Sequence, residues 1–563
     1  MSNSQKFTFR KHASVGAAAA EDDERFLSDC FIDNGDLSPL LDCADRRRII
    51  LGRTGVGKSA LIKQLADTKE NVILVNPETL SFNYLTNSTI LQFFLEIGVN
   101  LDLFFKLLWR HVFTVELLKA RYDLRTQNAT RSFFDRFKNM ISKDHHKERA
   151  IQYLAKWGEH FWEETEYRIK EITQHVESEL TASLAGKLPP ADIKLGASTK
   201  LSEDERREII QRGRTVINNI QMKELTDVLQ YLNEDVFNDD KYDFYLCIDK
   251  LDENWVDEKF RYLLIRSLIE TIRDFLQVRH VKIIVAIRTD LIERVFRFTR
   301  DSGFQEEKYR SLYLQVRWSE NQLVDLLDRR ISYLVRQTYT KKSVGFSDIT
   351  PSNIGKIPTQ VYMIQRTLLR PRDLIEFFNN CIEQADGRAA LTKDLILLGE
   401  GSYSKLRLRS LQDEWVNDYP GLITFASILK QKPVSFRLRI VAKAAVEDVC
   451  LEYSIDHLER TDVLSTQARA VADGKASWEA FVCQLFHVFY LTGLVGLKTD
   501  AHEKWQWSYQ GTSTIVADTI NLDSSVIIHP MFFRVLGINP RGERGQTTPL
   551  PISVDGASTV DYI

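Results

Sequence analysis

Five short apolar runs stand out along the chain, at Arg48 to Leu51, Val72 to Val75, Tyr242 to Ile248, Lys282 to Ile287 and Tyr313 to Trp318. Each is too short for a helix, and the first four are continuous rather than alternating, which is the pattern of strands buried on both faces of a parallel sheet. Elsewhere apolar residues recur at three- and four-residue steps. The pattern predicts an α/β fold with a five-stranded parallel sheet joined by helical crossovers.

The chain between the second and third runs is far longer than one crossover needs, so a helical insertion is expected over residues 82–239. Two stripes in it have helical spacing: Ile151, Leu154, Phe161, Ile169, Ile172, Val176 and Leu180, then Ile209, Ile217, Ile220, Val228, Leu229 and Leu232. Ser202 with Glu205 reads as a capping box opening the second, and the two read as a helical hairpin core. Ile90 to Trp109 is the most membrane-like stretch, but Glu96, Asp102 and Lys106 interrupt it. A central charge costs about 2.5–3.5 kcal/mol on insertion against about 0.3–0.6 gained per large apolar residue, so a buried helix pair broken near Gly98 and Asn100 is expected. Asp144-His145-His146 has no further ligand at metal-binding spacing and reads as a solvated loop.

Beyond the fifth run, Ser319 and Gln322 cap an amphipathic helix that begins a helical lid over 319–404. Leu374, Ile375, Phe377, Phe378, Cys381 and Ile382 mark a further apolar helix face. Residues 405–540 run through helices to the apolar stretch Leu485 to Gly496, then to Trp505 to Tyr509, which alternates like a hairpin strand. A helix followed by a β-ribbon suggests a C-terminal winged-helix-like domain. Residues 1–45 are expected as a linker, 46–81 with 240–318 as the sheet core, and the Gly-, Pro-, Ser- and Thr-rich 541–563 as a flexible tail.

Composition narrows the partners. Lys and Arg number 75 against 78 for Asp and Glu, so no general field attracts nucleic acid or anionic lipid. The six cysteines show no CxxC spacing and read as structural residues of a reducing compartment. The N-terminus has no apolar signal core, so a cytoplasmic protein with no membrane partner is expected.

The chemistry is concentrated after the first run, where Gly52-Arg53-Thr54-Gly55-Val56-Gly57-Lys58-Ser59 leads into a helical segment. Glycines let successive backbone N–H groups face a phosphate at the positive end of a helix. Lys58 adds a point charge toward β- and γ-phosphates, and the Ser59 hydroxyl is placed to ligate Mg²⁺. The third run ends in Asp249, the acid expected to share that metal. Lys250 fills the position after it and cannot act as a base, so the next acids are Asp252 and Glu253. The fourth run ends at Arg288, placed to reach a γ-phosphate if its strand lies between the first and third. ATP and Mg²⁺ are the expected ligands.

Ile248-Asp249-Lys250-Leu251-Asp252-Glu253-Asn254-Trp255, Ala286 to Asp290, Arg370-Pro371-Arg372-Asp373, Gly16 with Ala20 to Asp22, and Ile528 to Phe533 together resemble prokaryotic STAND- and KAP-like P-loop ATPases, which are related to the AAA+ class. The resemblance implies that Asp252 is the base, with Glu253 second, and that Arg372 opens a lid helix and points at the nucleotide. It implies a regulated, slow ATPase switch, often found in antiphage defence. No nuclease, protease or deaminase signature is present, so a separately encoded effector is expected, with a homo-oligomer or hetero-complex. A DNA-remodelling or initiator-like ATPase is the second reading, with nucleic acid as its partner.

Overall fold

The computed structural model describes residues 7–80, 82, 85, 87–122, 174, 177–179, 181–182, 203–219, 229–230, 232–238, 241–299, 305–338, 344–500, 502–511 and 515–540. The first helical stripe of the insertion, the Asp144-His145-His146 run, the Ser202 cap and the expected tail lie outside them. The chain divides into two compact units, one of residues 33–53 and 58–316, the other of 1–32, 54–57 and 317–563.

The first of these holds the parallel sheet: β1 Ile49–Gly52, β2 Val72–Val75, β3 Phe244–Ile248, β4 Val281–Arg288 and β5 Tyr313–Gln315, in the order β2-β3-β4-β1-β5. β4 therefore lies between β1 and β3, with Ile49 opposite Val285 and Ile248 opposite Val285 on its other edge. The three central strands are buried almost throughout, which is why their sequences are continuous apolar runs. Helices Lys58–Thr68, Glu258–Asp274 and Thr289–Phe298 follow β1, β3 and β4. The side chain of Asp257 caps the second by accepting from the Lys259 N–H.

Helices Thr89–Glu96 and Asp102–Tyr122 are separated at Gly98, whose φ of +91° ends the first. Their apolar faces enter the core, and the buried Trp109 indole donates to the Leu264 carbonyl at 2.9 Å. Two of the three charges that interrupt this stretch are used for packing, while Glu96 is exposed. Asp102 pairs with Arg266 at 3.2 Å, and Lys106 pairs with Glu270. No helix among the described residues is long and apolar enough to cross a membrane.

The second unit has its own core. Helices Glu320–Thr338, Pro371–Glu383 and Lys393–Trp415 pack around Leu323, Phe377, Phe378 and Tyr403. Ser319 and Gln322 form the expected box, with Ser319 N donating to Gln322 Oε1 at 2.8 Å. Short strands β6 Asn353–Ile354 and β7 Ile357–Pro358 make a small hairpin. Beyond it, helices Lys443–Asp456, Val463–Ala472 and Trp478–Thr492 accompany an antiparallel sheet of β8 Ser435–Arg437, β9 Val495–Lys498 and β10 Ser525–Ile528, in the order β8-β10-β9. This is a winged-helix-like arrangement.

Three expectations need correction. Trp505 to Tyr509 is not the return strand: it makes one bridge, Gln506 to Leu497, while the buried run of β10 pairs with the whole of β9. Trp507 instead lays its ring on Gly496, where a Cβ would come within 2.8 Å of it. The boundary expected at 404 falls inside helix Lys393–Trp415, so the helices on either side of it share that element. The N-terminal segment is no free linker, since Phe9 and Val15 are fully buried core residues.

Candidate nucleotide site

β1 delivers the chain at its carboxyl edge, Gly52, and the next helix begins at Lys58. The turn between them needs φ values of +78° at Gly55 and +103° at Gly57, which glycine adopts without a steric cost. The Lys58 ammonium curls back to donate to the carbonyls of Gly52 at 3.1 Å and Arg53 at 3.2 Å. Burial pulls its pKa down, and the charges of Asp252 and Asp249 oppose that shift.

Asp249 follows β3, with the Ser59 hydroxyl near enough to favour its charged form. Burial raises its pKa, against the Ser59 hydroxyl and the Lys250 N–H, which donates to Oδ1 at 2.8 Å. Lys250 itself sits at φ +62°, so the chain turns left-handed right after the acid. The loop beyond is pinned from below. Leu251 and Trp255 are buried, the Trp255 indole donates to the Leu251 carbonyl at 3.0 Å, and the buried Arg261 donates to Glu253 O at 3.0 Å.

With its neighbours anchored, Asp252 is left outward, its side chain 36% exposed and 3.3 Å from Arg288 Nη1. Arg288, at the end of β4, is forked on Asp290 by two bonds of 3.0 Å, and Arg294 shares that carboxylate at 2.8 Å. Burial works to raise the Asp290 pKa, but the two arginines outweigh it and the net shift is downward. Glu253 faces Lys250 at 3.6 Å, and burial raises its pKa. The structure therefore gathers Lys58, Ser59, Asp249, Asp252 and Arg288, with Glu253 turned toward Lys250.

Ser59 and Asp249 offer a hydroxyl and a carboxylate oxygen near one another. Mg²⁺ prefers hard oxygen ligands and is bound by one or two protein groups together with substrate phosphates, so this pair fits it.

The loop tip, Thr54 to Gly57, packs within the other unit. Arg370 Nη1 donates to Thr54 O at 2.9 Å, Trp318 Nε1 to Val56 O at 2.8 Å, and the Arg372 N–H to Gly55 O at 3.4 Å. The Arg372 stem covers Gly55 so closely that a Cβ there would lie 2.8 Å from it, and its Nε donates to Ala18 O at 3.3 Å.

Sequence reasoning missed the residues behind this contact. Arg370 and Arg407 are 2% exposed; Arg370 Nε reaches Asp373 at 2.9 Å, while Arg407 reaches Asp373 at 3.3 Å and Glu414 at 3.2 Å. Pro371 at the first helical position fixes this helix start. Glu400, Arg407 and Glu414 recur every seven residues along this helix, a spacing that becomes a signal only once that face is known to be turned to the core.

A five-stranded parallel sheet with this glycine loop after β1 and an aspartate after β3 is a P-loop NTPase fold. Residues 321–412 match the family model described as the FunZ-associated C-terminal helical domain. Over 543 residues the chain is 20% identical to the putative transposon gamma-delta 80.3 kDa protein of Escherichia coli K12, covering 94% of this chain and 68% of that protein. Among solved structures it is similar to a Walker-type ATPase of Pyrococcus abyssi, at 13% identity and a TM-score of 0.33 over 90% of this chain and 97% of that one. It is also similar to Cdc6p of Pyrobaculum aerophilum, at 12% identity and a TM-score of 0.27 over 91% and 92%.

Proposed function

We propose that this chain binds ATP with Mg²⁺ and hydrolyses it slowly, as a regulatory switch. The observation that carries the reading is the meeting of Lys58, Ser59 and Asp249 at the carboxyl edge of the sheet. Lys58 would leave its carbonyl partners for the β- and γ-phosphates. Ser59 and Asp249 would hold the metal, which neutralises phosphate charge when bound. Arg288, anchored by Asp290, presents a cation where charge grows during transfer. Asp252 has the exposure to take a proton from water, with Glu253 as the alternative. Lys250 at the position after Asp249 supports slow turnover, because no base stands there.

In this reading the nucleotide state acts through Arg372 and the loop tip, and the output passes to a separately encoded effector, in antiphage defence, from an oligomer or hetero-complex. Lys58→Ala tests the binding step. Losing its charge-assisted bonds, worth about 1.5–3 kcal/mol, should weaken Mg-dependent ATP affinity about ten- to a hundredfold by titration calorimetry. Unchanged affinity would sink the reading.

A second reading, a DNA-associated ATPase, is favoured by the similarity to a transposon-encoded protein over most of the chain. DNA-stimulated phosphate release that falls steeply with salt supports it, and DNA-independent turnover counts against it.

A further inference from the structure

The opposite edge of the same sheet holds a cavity of about 980 Å³, bounded by the residues just ahead of β1, β3 and β4 and by the end of helix Glu258–Asp274. Its volume is at the top of the range of about 300–1,000 Å³ usual for small-ligand sites. Arg46, Arg48, Arg110, Arg273, Arg279 and His280 line it. Two of its carboxylates are already engaged, Asp274 by Arg110 and Asp243 by His280 at 2.9 Å. Among the described residues Asp42 is the one other acid in the lining. Among the described residues, no carboxylate lies within ion-pair distance of Arg46, Arg48, Arg273 or Arg279.

Arg48 is the decisive residue. It is 3% exposed, its guanidinium donates to the carbonyls of Val281 at 3.1 Å and Cys43 at 3.3 Å, and its Nε has no partner. Behind it Lys282 is fully buried, its ammonium held by the carbonyls of Pro39, Asp42 and Asp45 at 2.6, 2.6 and 3.0 Å. Carbonyl dipoles satisfy donors but do not cancel charge, and two adjacent buried cations are costly when, among the described residues, no carboxylate lies at ion-pair distance and only the more distant Asp45 offsets both. Burial, with the Arg48 charge added, pushes the Lys282 pKa down to about 8, and burial pushes that of Arg48 to about 10. Both cations stabilise the loop that forms the rim, so the positive field is built into the wall of the cavity.

We propose that this cavity is an anion site separate from the nucleotide loop, shaped for a compact small molecule carrying two or more phosphate groups. Arg48 supplies fixed charge from the wall, and the exposed Arg46 and Arg279 close on the ligand from the rim. The test is calorimetric titration of inorganic tripolyphosphate into the full chain carrying Lys58→Ala, in metal-free buffer, so that the nucleotide loop does not compete. Saturable one-to-one binding is expected, weakened at least tenfold by adding Arg46→Ala with Arg279→Ala. Those two rim residues are exposed, so an unchanged thermal melt should show the fold intact; Arg48→Met should abolish binding but bears on the fold as well. Absence of saturable binding, or equal affinity with and without the rim arginines, overturns the proposal. So does displacement of tripolyphosphate by a short single-stranded oligonucleotide that binds more tightly, since that outcome assigns the surface to nucleic acid. Loss of ATP binding in Lys58→Ala has no bearing on this result, which keeps the two readings separable.

Discussion

Two clusters of arginine and carboxylate in this protein are built from the same groups and held differently. At the sheet edge, Arg288 is fixed on one side by Asp290 while its Nη1 meets Asp252, whose side chain is 36% exposed. In the helical unit, Arg370 and Arg407 are wrapped by Asp373, Glu376 and Glu414, with Asp373 entirely buried. A pair open to water contributes little to stability and keeps its charges available to a ligand. A sealed network specifies one arrangement of its helices, although here the buried Nε of Arg407 has no hydrogen-bond partner. The first cluster is therefore suited to chemistry and the second to architecture, although Arg370 also holds the loop carbonyl of Thr54.

That division fails if a change in the open cluster alters folding or a change in the sealed one alters chemistry alone. The largest effect is expected from Asp252→Asn. A positioned base contributes about 10²–10⁴-fold, so phosphate release should fall at least about a hundredfold while ATP affinity and the thermal melt stay as they were. If Glu253→Gln produces that loss instead, the base is the residue facing Lys250. Next in size is Arg407→Met, which touches no loop atom. Removing one partner from a buried network costs about 3–5 kcal/mol, read as a lower urea midpoint, with ATP affinity per folded molecule unchanged.

The open cluster was readable from sequence because its residues sit at strand ends, where a continuous apolar run stops at a charged residue: Asp249 after Ile248, Arg288 after Ile287. The five strands followed from the same runs, but of their order only the place of the fourth between the first and third was expected, as the condition for Arg288 to reach a phosphate. The sealed cluster was not read, because Arg407 and Glu414 lie in a helix whose apolar residues give no strong stripe, and a charge there looks solvated until its partners are placed. Arg370 and Arg372 are the sharpest case. Two residues apart in one motif, one is buried among carboxylates and the other lies along Gly55 with a single bond to Ala18. Sequence spacing cannot decide which of them faces inward, since that depends on Asp373 three residues on. The misread strand at Trp505 has a related cause: alternation fits a ribbon, but the contact of Trp507 with Gly496 satisfies the same apolar positions without a ladder.

The smallest effect expected is also the cleanest signature of the sealed cluster, the acid limb of stability. Burial alone would raise the Asp373 pKa, yet Arg370 and Arg407, with the Leu368 N–H, bring it from 3.8 down to about 2. Between those values the unfolded chain binds a proton that the folded chain does not, so stability falls as pH drops through this window. The contribution is present above pH 4 and lost near pH 2, and its size is about 2 kcal/mol at 1.36 kcal/mol per pKa unit. Glu414 and Glu400 are also held below their usual range and add to the same limb, so the wild-type curve alone does not isolate one residue. The difference between wild type and Asp373→Asn does. That gap, measured by urea denaturation, should be widest at neutral pH and should narrow from pH 4 to pH 2 as the wild type loses what the variant never had. A gap that stays constant would mean the arginines do not need the charge of Asp373, and the contrast between the two clusters would then rest on burial alone.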